Sequence, residues 1–246
     1  MTGGRVVEVL ESPEAAGERG ADLFASAARE DVSSEGRFTA ALSGGSTPVR
    51  LFQSLANASG IEWPKVHLFW ADERCVPPDH PDSNYRLARE LLLSRLPAPG
   101  PEIHRVRGEL APEEAARDYE ADLAQAFPDQ IIPRFHLICL GLGIDGHTAS
   151  LFPGFDPALS SDRNAIAVDA GVRKGPRVTL TLRVINNALR VLFLVTGAAK
   201  ARIAAEILEG KNGDRYPSGL VAPSGGTLTW LLDREAAALL SHPHTS

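Results

Sequence analysis

The segment GLGIDGHTASLFPG (141–154) places a histidine, His147, directly after glycines spaced G-x-G-x-x-G. An imidazole with an unperturbed pKa of about 6.5 is suited to take up and return a proton near neutral pH. TASLF is expected to form one short helical turn with His147 at its start. There the positive end of the peptide dipoles disfavours the imidazolium and keeps a neutral base. Asp145, two residues earlier, is placed either to orient the ring or to pair with Arg74. The same glycine pattern is a dinucleotide fingerprint, and Asp169 lies about twenty residues further on, where a ribose-binding acid would sit. Against that reading, Pro153, Gly154 and Pro157 stop any helix after a single turn, whereas a dinucleotide loop leads into a full one.

Three other polar segments follow apolar runs. In SGGSTP (43–48), Gly44 and Gly45 permit a sharp bend, Ser46 or Thr47 can cap the next helix, and Pro48 fits its first turn. Unpaired N–H groups at such a turn form an anion site, and the absence of a P-loop lysine argues against a nucleoside triphosphate. WADERCV (70–76) sets Asp72, Glu73 and Arg74 immediately after a strand. Arg74 can grip a phosphate or carboxylate through two hydrogen bonds, or the three charges can simply pair with one another. Cys75 beside Arg74 suits either a thiolate nucleophile with a lowered pKa or a small buried thiol. In VTGAAK (195–200), Lys200 falls in the first turn of a helix, where it opposes the dipole unless an anion is bound.

These segments need a frame that brings them together. RVVEVL, RFTAAL, KVHLFW, RFHLICL and RVLFLVTG read as strands, with weaker candidates around IHRV, NAIAVDA and RVTLTL. Helical patterns lie between them: one capped by Ser12 with Pro13 in its first turn and running to about Asp31, then VRLFQSLANA, NYRLARELLLSRL after Ser83, PEEAARDYEADLAQAF, and AAKARIAAEILEG ended by Gly210. A last helix is expected at DREAAALLS. Strands such as LICL and LFLV are apolar on both faces, as in a parallel sheet covered on both sides. The fold class is therefore α/β: an open, mostly parallel, Rossmann-like sheet with helices on both faces, forming one domain over residues 1–246. In such sheets ligands bind beyond the carboxyl ends of the strands, where the four polar segments fall.

Composition narrows the function further. The chain has 246 residues, 43% of them hydrophobic, and a formal net charge of −6, which disfavours a phosphate-neutralising nucleic-acid face. No apolar run is long enough to span a membrane, and the N-terminus lacks a signal-peptide core. Two cysteines without metal spacing, Cys75 and Cys139, are expected to be reduced thiols of a cytoplasmic protein. The scattered histidines provide no metal motif, so neither metal nor cofactor is expected. A monomer or small homo-oligomer is expected, and the polar loop Pro77–Ser83 is a candidate cover for the site.

Taken together, SGGSTP, WADERCVPPDHPDSNY, GLGIDGHTASLFPG, PRVTLTLRVINNA and TGAAK resemble, in order and spacing, the 6-phosphogluconolactonase subfamily of the glucosamine/galactosamine-6-phosphate isomerase family. The resemblance extends from about residue 5 to 240. It implies a fold like those of ribose-5-phosphate isomerase and the CoA transferases. It also implies hydrolysis of 6-phospho-D-glucono-1,5-lactone, a small sugar-phosphate substrate, in the oxidative pentose phosphate pathway without a cofactor. His147 corresponds to the general base, Gly44, Gly45, Ser46, Thr47 and Lys200 to the phosphate site, and Asp72 and Arg74, with Arg177, to groups facing the sugar. The deaminase branch resembles G-H-I-A-F-N-E-P after its histidine; Thr148 to Phe155 contain no acid, although Asp72 is retained. A glucosamine-6-phosphate deaminase and a non-catalytic sugar-phosphate-binding regulator are the alternatives. The backbone of the glycine turn and Arg74 are both candidate oxyanion donors.

Overall fold

A computed structural model of the chain describes residues 4–45, 47–154, 157–169, 171, 175–210 and 213–241. β1 (Arg5–Leu10) leads into α1 (Pro13–Glu35). The Ser12 hydroxyl caps α1 by accepting the Ala15 N–H at 3.2 Å. The helix outlasts its expected end near Asp31, because its stop signal is Gly36, left-handed at φ 77° and donating to the Val32 carbonyl. β2 (Phe38–Leu42), α2 (Pro48–Leu55) and β3 (Val66–Trp70) follow as the pattern anticipates. Next come β4 (Asp72–Arg74), α3 (Asn84–Leu91), β5 (Glu102–His104), α4 (Pro112–Ala126) and β6 (Leu137–Gly141). The second half comprises α5 (Pro157–Ser160), β7 (Ala165–Asp169), β8 (Pro176–Leu180), α6 (Leu182–Ile185), β9 (Arg190–Val195), α7 (Ala201–Leu208) and β10 (Thr227–Asp233).

Seven strands form one sheet in the order β1-β10-β9-β6-β2-β3-β5, and every pairing in it is parallel. All five residues of β2 are buried, so both of its faces are covered. Phe24 of α1 meets Phe38 edge-on at 5.1 Å, and Phe193 stacks on Trp230 at 3.9 Å. From β2 the chain moves outward through β3 to β5, then crosses back to β6 and moves the other way through β9 to β10. The strand order therefore reverses between β2 and β6. This is the place in an open sheet where a crevice opens beyond the carboxyl ends.

Two sequence expectations fail here. DER is not the tail of β3 but a strand in its own right, in a separate antiparallel sheet ordered β4-β8-β7. Ala71 is the junction: its N–H donates to Leu42 in the parallel sheet, and its carbonyl accepts from Leu180 next to the antiparallel one. The buried Tyr119 hydroxyl stabilises the departure by bonding both the N–H and the carbonyl of Trp70. DREAAALLS is not a helix either. β10, which the sequence reading overlooked, runs into it as far as Asp233, and turns follow. The buried Asp233 carboxylate accepts the N–H groups of Ala236 and of distant Gly197, tertiary bonds that override the local helical preference.

Candidate active site

At the reversal between β2 and β6 lies a cavity of about 180 Å³. Gly44, Gly45 and Thr47 line it from the end of β2, Asp72 and Arg74 from β4, and Gly141, Gly143 and His147 from the turn after β6. Arg177 of β8, Asn84 of α3 and Lys200 before α7 complete its polar wall. Eight of the ten residues singled out in the sequence thus meet there. Asp145 reaches it through His147, and Ser46 lies outside the described residues. A larger groove of about 830 Å³ runs between α1 and α2, past Glu14, Arg19, Asp22 and Arg50. It is open and polar and contains none of the sequence-predicted residues.

Strand alternation divides Asp72-Glu73-Arg74 between two tasks. Opposite neighbours in the ladder are Asp72 with Thr179, Glu73 with Val178 and Arg74 with Arg177. Successive side chains point to opposite faces, so Asp72 and Arg74 share the crevice face and Glu73 takes the other. Glu73 is buried at the N-terminus of α3, accepting from the N–H groups of Arg74, Asn84 and Tyr85 at 2.7–2.8 Å and from the Ser83 hydroxyl at 3.1 Å. Burial raises its pKa, and these donors pull the other way. On the crevice face, buried Asp72 accepts from Ser150 Oγ at 2.6 Å and lies 3.7 Å from Arg177. The Arg74 guanidinium donates to the Asp82 carbonyl at 2.6 Å, which fastens the Pro77–Ser83 loop beside the cavity. Arg74 and Arg177 stand directly opposite each other, an unfavourable like-charge pair. Burial and then Arg74 lower the Arg177 pKa. The Nε atoms of both arginines are buried without a hydrogen-bond partner among the described residues, as is Ser43 Oγ. Two crowded guanidiniums with unused donors are what an anion would relieve.

The glycine turn explains its own pattern. No helix starts at His147. Residues 148–151 instead form a tight turn closed by a bridge between Thr148 and Leu151, so the helix dipole invoked from the sequence does not act on the ring. What holds the imidazole is Asp145, whose carboxylate bonds His147 Nδ1 and also accepts the His147 N–H at 3.2 Å. An ionised carboxylate only accepts, so Nδ1 carries the ring proton and Nε2 is the basic nitrogen. Phe152 packs against the ring at 4.9 Å. A Cβ on Gly143 would fall 2.0 Å from His147 Nδ1 and 2.6 Å from Asp145 Oδ1, so only glycine leaves room for this pair. Gly146 is left-handed at φ 82° and lies under Tyr216, where a Cβ would come within 2.4 Å of the ring. Asp169 ends β7 in the antiparallel sheet, so the dinucleotide geometry is absent.

Lys200 closes a short 3-10 turn (Ala198–Lys200) just before α7, at the cap position rather than inside the helix. Burial lowers its pKa, while Asp145 opposes that shift. Thr47 precedes α2 with helical φ and ψ, and its side chain makes no capping bond; Ser46, the other candidate cap, lies outside the described residues. Gly44 is pressed against Asn84, whose amide would collide with any Cβ there. Of the two readings of Cys75 the structure favours the small buried thiol: burial, then Glu73, pushes it up to about 11, the reverse of an activated nucleophile. Asn84 and Ser150 were missed. Asn84 donates to the Asp72 carbonyl at 2.8 Å, and Ser150 anchors the Asp72 carboxylate. Their position within the SNY and HTAS segments is the only sequence signal they carry.

Fold and cavity together define an α/β protein with a small, cation-lined cavity and a carboxylate-oriented histidine at the reversal point of a parallel sheet. Residues 11–230 match the family described as glucosamine-6-phosphate isomerases/6-phosphogluconolactonase, and the chain belongs to that family. A 6-phosphogluconolactonase of Synechocystis sp. is 44% identical over 210 residues, which cover 83% of this chain and 85% of that protein. One from Rattus norvegicus is 41% identical over 245 residues, covering 97% and 95%. The crystal structure of 6-phosphogluconolactonase from Thermotoga maritima superposes with a TM-score of 0.80 at 30% identity, covering 94% of this chain and 100% of that one.

Proposed function

We propose that this chain hydrolyses 6-phospho-D-glucono-1,5-lactone to 6-phospho-D-gluconate, the reaction after which its relatives are named. The observation that carries this reading is the composition of the cavity wall. Among the described residues it has three cations, Arg74, Arg177 and Lys200, against one carboxylate, Asp72, in a protein of net charge −6. His147 stands in the same wall. A cavity of about 180 Å³ is smaller than the roughly 300–1,000 Å³ of drug-sized pockets and suits a small phosphorylated sugar.

In the mechanism this supports, the phosphate docks on Lys200 and the Gly44–Thr47 turn, which fixes the distance from there to the lactone carbonyl. Nε2 of His147 takes a proton from water as the oxygen attacks that carbonyl. Asp145 stabilises the imidazolium that forms, as the carboxylate does in Ser-His-Asp triads. Arg74, facing Arg177, or the N–H groups of the glycine turn meet the developing oxyanion, and Asp72 binds ring hydroxyls. The tetrahedral intermediate then collapses, His147 returns its proton to the departing ring oxygen, and 6-phosphogluconate leaves. Such acid–base help contributes roughly a hundred- to ten-thousandfold. The fold forms one sugar-phosphate-binding domain acting in the cytoplasm without a cofactor, as a monomer or small homo-oligomer.

The test is direct measurement of lactone loss above its spontaneous rate, with unphosphorylated gluconolactone as comparison. Rapid turnover of the phosphorylated lactone alone is expected. Equal turnover of both would refute the phosphate site, and no acceleration would leave a binding protein. Ammonia release from glucosamine 6-phosphate would reveal a deaminase, which the acid-free segment Thr148–Gly154 disfavours.

A further inference from the structure

At the β5 edge of the parallel sheet, a second cluster of ionisable side chains has no part in this chemistry. β3 and β5 pair with His67 opposite Glu102 and Phe69 opposite His104. Residues two apart on a strand share a face, so both histidines and the glutamate project together on one side. His67 Nδ1 lies 3.2 Å from His104 Nε2. Glu102 approaches His67 Nδ1 at 3.3 Å with one oxygen and His104 Nε2 at 3.4 Å with the other. Behind them, His104 Nδ1 bonds the Asp122 carboxylate of α4 at 2.9 Å, and the ring is stacked on Phe69 at 4.1 Å. His67 lies five residues before Asp72, about 16 Å along an extended strand from the catalytic crevice.

We propose that His67, Glu102 and His104 form a binding site for a divalent transition-metal ion of zinc type. Ligands about 2.0–2.1 Å from a tetrahedral zinc stand roughly 3.3–3.4 Å from one another. The contacts at 3.2, 3.3 and 3.4 Å, in which each Glu102 oxygen faces one imidazole nitrogen, bring one donor atom from each of the three side chains to within 4.8 Å of the others, close to that spacing. The proton count points the same way. In the tautomer whose Nδ1 proton goes to Asp122, His104 Nε2 is a lone pair facing a carboxylate oxygen and a second imidazole. Two imidazole nitrogens and two carboxylate oxygens converging with few protons between them are a donor set suited to a cation. A carboxylate holding the far nitrogen of a ligand histidine is the usual support of such a site. Glu102 and Asp122 outweigh Arg37, the cation that acts on His67 among the described residues, and Arg37 is engaged with the Ala126 carbonyl. The Glu102 side chain is 62% exposed, so an ion can enter from solvent and keep water as its fourth ligand. Bound there, it would clip edge strand β5 to β3 as a structural ion remote from the lactone.

The test uses the full chain, stripped with chelator and titrated with zinc chloride by calorimetry, with cobalt(II) as a spectroscopic probe. One equivalent of zinc is expected to bind with micromolar or better affinity, to raise Tm, and to give tetrahedral cobalt absorption. His147→Ala should bind it equally well. His67→Ala and the exposed variant Glu102→Gln should abolish the high-affinity site, and Asp122→Asn should weaken it about 10- to 100-fold. Failure of the parent chain to bind zinc would overturn the proposal. So would undiminished binding in Glu102→Gln, or loss of binding in His147→Ala alone.

Discussion

Replacing Gly143 by alanine tests the histidine–aspartate pair without altering either partner. Gly143 is not among the left-handed glycines, so alanine can adopt its backbone conformation, and the perturbation is the added methyl alone. That methyl would stand 2.0 Å from His147 Nδ1, where 3.4 Å is an ordinary contact, so the ring must retreat by about 1.4 Å. A misplacement of about 1 Å at a reacting group costs on the order of a hundredfold in rate. Complete loss of general-base action sets the other limit, roughly ten-thousandfold. A fall in kcat of about 10² to 10⁴ is therefore expected, with KM little changed because the phosphate anchor is untouched. Tm should drop by only a few degrees, since moving a partly exposed side chain off its rotamer costs about 0.5–1.5 kcal/mol. Initial rates from acid release, corrected for spontaneous hydrolysis, give kcat and KM, and a thermal melt gives Tm. The neighbouring glycines are controls: Gly141→Ala meets no protein atom, so its Tm should hold, whereas Gly146→Ala collides with Tyr216 at positive φ and should melt earlier. Turnover by Gly143→Ala close to that of the parent would refute the assignment of His147 and Asp145 as the working pair.

Burial lowers the Lys200 pKa, and it is the cation that binds phosphate, so affinity for 6-phosphogluconate should weaken as pH rises, beginning below the ordinary lysine range. Calorimetric titration should show Lys200→Arg losing this alkaline limb, and an unchanged profile would remove Lys200 from the phosphate site. Ser150→Ala deprives buried Asp72 of a 2.6 Å bond worth about 1.5–3 kcal/mol, lowering Tm by roughly 3–12 °C in a calorimetric scan. With burial holding Cys75 at about 11 and Cys139 at about 12, iodoacetamide should label neither thiol at neutral pH until the chain unfolds, as read by intact mass.

The sequence disclosed what depends on neighbours along the chain. Ser12 and Ser83 cap the helices they were expected to start, and the double-sided apolar runs became parallel strands. Three of the polar segments met in one cavity because strands in a parallel sheet all end on the same side, and β4, just past the end of β3, brings the fourth. Features set by distant partners stayed hidden. A three-residue strand such as Asp72–Arg74 is too short to show a period, so although RVTLTL and NAIAVDA read as strands, their grouping with it in a second sheet was invisible. The Asp233–Gly197 bonds join residues 36 apart in sequence, and no local propensity announces them. Asp145 was read correctly as a candidate orienter of His147, but the dipole argument beside it failed because the segment after the histidine closes as a turn. His67, Glu102 and His104 lacked any motif spacing because register between two strands, not sequence distance, assembles them.

The alternation within β4 restricts how this protein can change over time. Inserting or deleting one residue between Ala71 and Arg74 would rotate the segment by one pleat, carrying Glu73 into the crevice and Asp72 and Arg74 toward the helix. One slip would remove two cavity charges and strip the α3 N-terminus of its acceptor at once. The segment can therefore drift by substitution but not by length. Insertions and deletions that distinguish relatives of this chain should gather elsewhere, in connections such as the one between α3 and β5.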